Sequence, residues 1–155
     1  MSLAQLHWEA GAYGRVQEVL HQSAEFCSDH PAWRLNLAHA LVAQEGAAAA
    51  GGASAGSQGR LGQAAELYES LLQHFAGREG GSLLEAPPSA VANLCVCYVA
   101  GAQNEVAEDL LRRLEDEVAA AQAAGQPPPP HLSLTNLALG TLYCAKGGWG
   151  GAGMG

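Results

Sequence analysis

HLSLTNLALGTLYCAKGGW, residues 131–149, is the stretch whose reading decides the fold. Its apolar positions recur at helical spacing. Leu139, Gly140, Tyr143, Gly147 and Trp149 follow one another as an apolar residue, a small residue, an aromatic, a turn glycine and a second aromatic. A small residue facing a large one lets two antiparallel helices approach closely. A glycine just past the last helical residue ends the helix in the left-handed conformation without steric cost. The stretch therefore predicts the first helix and the turn of a helical hairpin.

That order of residues is the signature of the tetratricopeptide repeat, a helix pair that buries its apolar face by stacking on the next pair. The rest of the chain falls into the same register. Residues 3–28 predict a partial repeat: the tail of a helix over 3–10, a turn at Gly11 and Tyr13, and a second helix to about Cys27 with Val16, Val19 and Leu20 on its buried face. Residues 30–76 predict a whole repeat. Asp29 is positioned to cap its first helix and Pro31 suits the first turn. Leu37, Ala38 and Leu41 line that helix, and Ala64, Tyr68, Leu71 and Leu72 line its partner, which starts near Leu61. Between them an insertion at 46–59, rich in glycine and alanine, reads as a flexible loop. Residues 88–124 predict a further repeat, with Val91, Leu94, Cys95 and Tyr98 on one helix and Ala107, Leu110, Leu111, Leu114 and Val118 on the other. On the latter, Glu108 with Arg112 and Asp109 with Arg113 stand four apart, as exposed ion pairs do. A proline-rich spacer at 125–130 leads into 131–155, a repeat cut short, because GGAGMG after Trp149 is poor helix material. The expected fold is all-α: a tetratricopeptide-repeat α-solenoid of antiparallel helix pairs, interrupted in mid-repeat at both ends and so a slice of a longer array. Uncapped apolar faces would make such a slice marginally stable in isolation.

Composition narrows the function classes. The 155 residues carry 7 basic and 15 acidic side chains, a formal net charge of −8. Binding a phosphate backbone needs clustered Lys and Arg, so no nucleic acid is expected. No apolar run reaches the roughly 18 residues of a membrane span, and the opening MSLAQLHWEAG lacks the basic and apolar regions of a secretory signal. Cys27, Cys95, Cys97 and Cys144 sit in helical apolar patterns and read as reduced core thiols. Cys95 and Cys97, two apart on a helix, point roughly 200° away from each other and cannot close on one metal ion. The six histidines show no ligand spacing. No GxSxG, Walker or GxGxxG sequence occurs. No catalytic residue, metal, cofactor or small-molecule substrate is expected. Pro127–Pro130 formally offers PxxP but has no flanking cation, and reads as an extended spacer.

In tetratricopeptide stacks the first helix of each pair lines the inner groove. By register, the groove positions are Leu35, Asn36, His39 and Val42, then Ala92, Asn93, Val96 and Val99, then Leu137, Ala138, Thr141 and Cys144. Most are apolar or small, and some of them are alternatively read as packing against neighbouring helices. Such a groove suits an apolar or proline-rich extended segment and suits a terminal carboxylate badly, since Arg34 and Lys146, the basic residues of these helices, fall outside it. Asn36 and Asn93 occupy equivalent sites, where an amide can bond a partner's backbone or tie adjacent repeats together.

Three segments carry a more specific resemblance. VQEVLHQSAEFCSDHPAWRLNLAHALVAQE (16–45), VANLCVCYVAGAQNEVAEDLLRRLEDE (91–117) and NLALGTLYCAKGGW (136–149) resemble, in the same order, the fleer (DYF-1) family of tetratricopeptide proteins, subunits of intraflagellar transport complex B. The resemblance implies a non-catalytic scaffold in the cilium or flagellum and in the cytoplasm around the basal body. Its groove would hold a proline-rich extended segment of a core subunit of the complex. It also implies roles in cilium assembly, anterograde transport and tubulin polyglutamylation. The sequence departs from the family pattern at the 46–59 insertion and in the alanine- and proline-rich run at 119–130. The residues alone leave open a generic peptide-binding adaptor, of the co-chaperone type, unconnected with cilia.

Overall fold

A computed structural model describes residues 2–52 and 57–147 of the chain. The described residues form helices α1 (Leu3–Glu9), α2 (Tyr13–Gln22), α3 (Ala24–Cys27), α4 (Pro31–Ala50), α5 (Ser57–Ala76), α6 (Pro88–Ala100), α7 (Asn104–Ala123) and α8 (His131–Gly147), with a 3₁₀ turn at Leu83–Glu85. No strand occurs among them. The all-α class and the helical hairpins are as the periodicity requires. The chain forms two compact units, Met1–His74 and Phe75–Gly155.

In the first unit α1 and α2 form one hairpin, and α2 packs antiparallel to α4. Two polar contacts set that packing. The Gln44 amide donates to Gln17 Oε1 at 2.8 Å at one end, and the Trp33 indole donates to the Leu20 carbonyl at 2.9 Å at the other. Helices α4 and α5 run antiparallel as well, because Glu45 pairs with Arg60 at 3.4 Å while Arg34 donates to Ser70 Oγ at 2.7 Å. The core interleaves small with large: Ala38, Ala40 and Ala64 are fully buried beside Leu41, Tyr68 and Leu71. Without the alanines, the backbones could not come near enough for the large side chains to be enclosed.

Three local expectations are corrected here. The second helix of the partial repeat does not run unbroken to Cys27. It stops at Gln22, because the Leu20 carbonyl accepts from both the Ser23 hydroxyl and the Trp33 indole, and a short α3 follows. Asp29 does not cap α4. His30 does, its Nδ1 accepting from Ala32 N–H at 3.1 Å, while Asp29 pairs with Arg34. Helix α4 continues through Ala47–Ala50, so part of the 46–59 segment is helical; alanine is the best helix former, and Gly51 and Gly52 end the run. Residues 53–56 lie outside the described residues.

In the second unit α6 is the central element, packed against both α7 and α8. Its sequence is apolar on nearly every side, and accordingly Ala90, Val91, Ala92, Leu94, Cys95, Cys97, Tyr98 and Val99 are all buried. The segment before α6 is held from both sides. Glu117 of α7 accepts from the Ser82 hydroxyl at 2.6 Å and from Leu83 N–H at 2.7 Å, and His131 of α8 donates from Nε2 to the Ala86 carbonyl at 2.8 Å. The exposed pairs on α7 differ from the spacing-based expectation. Arg112 reaches Asp109 and Arg113 reaches forward to Glu117.

Three helices end in the same hydrogen-bonded motif, in which the N–H of the second residue past the cap bonds to the carbonyl five residues back. Ala12 N–H bonds to His7 O, Gln103 N–H to Tyr98 O, and Gln126 N–H to Ala121 O. The motif needs one residue in the left-handed region. Gly11 and Gly125 supply it at the first and third, whereas at the second it is Ala102, with φ 59°, and Gly101 beside it stays at φ −84°. A methyl group in this conformation costs about 1 kcal/mol. Ala102→Gly is therefore expected to raise unfolding stability by about 0.5–1 kcal/mol. The check is a urea titration, which should show a higher midpoint at unchanged slope; an equal or lower midpoint would refute the strain argument.

Candidate functional site

Helices α1, α2 and α4 enclose a half-open cavity of about 290 Å³ in the first unit, lined by Ser2, Ala4, Gln5, Trp8, Val16, Leu20, Asn36 and His39. The Ser2 hydroxyl caps α1 by accepting from Gln5 N–H at 3.2 Å, which fixes the first turn at the rim. Trp8 stands edge-on to Tyr13, ring centroids 5.0 Å apart, and keeps 39 % of its surface exposed. Val16 and Leu20 form the floor, both buried by the packing of α2 on α4. No lining residue is charged. Four are neutral polar side chains, and they lie among Ala, Trp, Val and Leu.

His39 joins the cavity to the core. Its Nδ1 shares a hydrogen bond with the hydroxyl of Tyr68, which is fully buried, and the two rings lie 5.6 Å apart. Burial lowers the His39 pKa below its ordinary value of 6.5, since desolvation disfavours the imidazolium. The ring is therefore neutral at physiological pH and holds one edge of the cavity by hydrogen bonding without adding charge.

The twelve register-predicted positions separate by environment. On α4, Asn36 is exposed and His39 half-buried, and both line the cavity; Leu35 and Val42 are half-buried outside it. On α6 the expectation of an open surface is not met by Ala92 and Val99, which are 2 % and 7 % exposed, because α7 and α8 enclose this helix; Asn93 and Val96 are half-buried. On α8, Leu137 is 67 % exposed, and Thr141 is exposed with its hydroxyl donating to the Leu137 carbonyl at 2.9 Å; Ala138 is half-buried and Cys144 exposed. Gly140 meets no described neighbour, since a Cβ built there finds no atom within 4 Å. In a tetratricopeptide hairpin the large residue opposite such a glycine belongs to the following helix. Gly147, expected as the turn glycine, is the last residue of α8, and Trp149 lies outside the described residues.

The sequence pattern does not single out Ser2, Gln5 and Trp8, since residues 3–10 read only as the tail of a helix. The available signal was the pair Trp8 and Tyr13 flanking Gly11, which brings two aromatics together across a tight turn. The cysteines also divide. Burial pushes the Cys95 and Cys97 thiols up to about 12, with each other's proximity adding to Cys95, which leaves almost no thiolate at neutral pH. Cys27 and Cys144, expected in the core, are exposed.

Comparison with known proteins gives a consistent result. Residues 1–152 match the intraflagellar transport protein 70 C-terminal domain. The chain is 34 % identical over 153 residues to intraflagellar transport protein 70A of Danio rerio, and 35 % identical over 153 residues to intraflagellar transport protein 70B of Homo sapiens. It is 34 % identical over 151 residues to intraflagellar transport protein 70A1 of Mus musculus. Each alignment covers 96 % of this chain and 20 % of the relative, so the chain spans about one fifth of the length of these proteins.

The buried neutral imidazole makes stability depend on pH with a definite sign. Its folded-state pKa lies below the unfolded value, so the unfolded chain binds the proton more readily. The contribution of His39 is intact above pH 6.5 and is lost as pH falls from there through the folded-state value. Urea midpoints compared at pH 7.5 and about pH 5 should fall less in His39→Gln, which keeps a hydrogen-bonding side chain but does not titrate. Equal falls in both proteins would show that His39 is not the group responsible.

Proposed function

We propose a non-catalytic scaffolding role in intraflagellar transport for this chain, which belongs to the family of the intraflagellar transport protein 70 C-terminal domain. The observation that carries the reading is the match over residues 1–152, in a chain folded as helical hairpins. On this reading the chain contributes helix pairs to a subunit of transport complex B. Exposed positions on the first helices, Asn36 in the first unit and Leu137 in the second, are contact points for extended segments of core subunits.

Stacked hairpins bind in this way because each presents a fixed row of side chains while its own backbone is fully hydrogen-bonded. A strand laid along that row buries apolar area and finds polar groups for its free N–H and C=O groups. Mostly apolar positions on α4, and separately on α8, suit an apolar or proline-rich extended segment, whose backbone is already stiff. On the same reading the chain supports cilium assembly and anterograde transport, resides in the cilium and around the basal body, and contributes to tubulin polyglutamylation. A general peptide adaptor remains the competing reading, and the match to a single ciliary family disfavours it.

Expression of the tagged chain in ciliated cells, with quantitative mass spectrometry of what co-purifies, separates these readings. Enrichment of intraflagellar transport subunits, reduced by paired Asn36→Asp and Leu137→Asp substitutions, is expected. Recovery of chaperones without transport subunits would overturn the ciliary reading in favour of the adaptor.

A further inference from the structure

The cavity between α1, α2 and α4 has a size and a lining that say more than a general groove does. A cavity of about 150 Å³ with apolar walls accommodates a benzene molecule. One of about 290 Å³ therefore holds a full aromatic side chain and leaves room for part of the backbone that carries it. Its walls include the exposed part of the Trp8 indole and the floor residues Val16 and Leu20, suited to an edge-to-face or offset ring. Gln5 and Asn36 at the rim offer amide donors and acceptors of the kind a peptide backbone needs.

The charge around the cavity selects the flanks of such a ligand. The first unit contains three basic residues, Arg15, Arg34 and Arg60, and seven acidic ones, for a difference of four negative charges. Each arginine is already paired with a carboxylate: Arg15 with Glu18, Arg34 with Asp29, and Arg60 with Glu45. Glu9, beside Trp8 in sequence, and Glu25 are exposed. Glu9, whose carboxylate accepts from the amide of the lining residue Gln5 at 3.3 Å, together with the unit's excess of carboxylates, favours cations beside the anchor residue of an approaching peptide.

We infer that this cavity is an anchor site for one aromatic side chain carried on an extended, basic-flanked peptide segment, with Trp8 as its wall and Asn36 bonding the backbone beside it. The inference deepens the scaffold reading by naming what one part of the groove selects. It rests on that reading only for the biological source of the peptide. An aromatic ring fits better than a proline ring, because it can pack against the Trp8 indole and cover more of Val16 and Leu20.

The test uses the full 155-residue chain and four blocked pentapeptides: Lys-Ala-Phe-Ala-Lys, the same peptide with alanine or with proline in place of phenylalanine, and Glu-Ala-Phe-Ala-Glu. Binding is followed by amide chemical shifts in ¹H–¹⁵N spectra. The phenylalanine peptide with lysine flanks should shift Gln5, Trp8 and Asn36 and bind at least about tenfold more tightly than the alanine peptide, with an affinity that falls as salt rises. Ala4→Leu, which fills the cavity, and Asn36→Ala, at an exposed position, should each weaken it about tenfold, with helical circular dichroism unchanged. Equal binding of the phenylalanine and alanine peptides, tighter binding of the proline peptide, indifference to the sign of the flanks, or full binding by a folded Asn36→Ala protein would each overturn the assignment. Should Ala4→Leu fail to fold, the peptide series and Asn36→Ala decide alone. Failure here with transport subunits still recovered from cells would remove the anchor site and leave the scaffold role standing. Success here without such recovery would do the reverse.

Discussion

The structure depends on helices packing closely enough to enclose large side chains, and alanine is what permits it. Ala38, Ala40 and Ala64 have no exposed surface, and neither do Leu41 and Tyr68 among them. A buried Leu or Tyr contributes on the order of 1.5–3 kcal/mol only when the facing backbone is near enough to exclude water. In the second unit the same relation holds on α6, where Ala90 and Ala92 alternate with Val91, Leu94 and Tyr98 inside one helix that others cover. The abundance of alanine and the scarcity of charge are thus two aspects of one packing solution. A helix covered on nearly all sides has little surface left on which a charged residue can be solvated.

Close packing among similar apolar surfaces leaves rotation and sliding underdetermined, and polar contacts at the helix ends resolve this. The Trp33 indole on the Leu20 carbonyl ties α4 to the end of α2. The Arg34 guanidinium bonds the Ser28 carbonyl, Asp29 and Ser70 together, so one side chain orients the approach to α4 and the position of α5. Glu117 and His131 hold the segment before α6 in the same manner. Apart from the Arg34 contacts to Asp29 and Ser70, these contacts use a backbone group freed where a helix or turn ends, and such a group must find a partner if it is buried. The fold is therefore specified by a few side chains that meet backbone needs, and the apolar core supplies the driving force without the register.

Periodicity made most of this visible before any coordinates. Leu37, Leu41, Ala64, Tyr68, Leu71, Leu94, Cys95, Ala107, Leu114 and Val118 were assigned inward from spacing alone, and all are buried. The helix ends were less legible, because they are fixed by contacts distant in sequence. That His30 rather than Asp29 caps α4 follows from Arg34 engaging Asp29. On α6, Ala92 and Val99 are buried, the alternative that the register leaves open for some of these positions. A repeat register identifies which side of a helix faces the groove, but a helix such as α6, apolar on every side, gives no sign of which face its neighbours leave open. The cavity was the least legible feature. It is formed by three helices, and its wall residue Trp8 lies in a stretch too short to show a period.

The chemistry of the described side chains also indicates what kind of recognition this chain supports. Cys95 and Cys97 are held as thiols by burial, and His39 is kept neutral and joined to Tyr68. The arginines of the first unit are all engaged by carboxylates. Groups that elsewhere bring charge or reactivity to a site are here occupied in holding helices in place. What remains facing solvent around the cavity is shape, an aromatic surface and neutral amides. Such a set discriminates by volume and by backbone hydrogen bonds, which is weak for any one contact and cumulative along an extended segment. A set of hairpins carrying such an anchor cavity is thus suited to contributing one step of a longer contact, with selectivity set by which residue falls at the cavity and by the charge on either side.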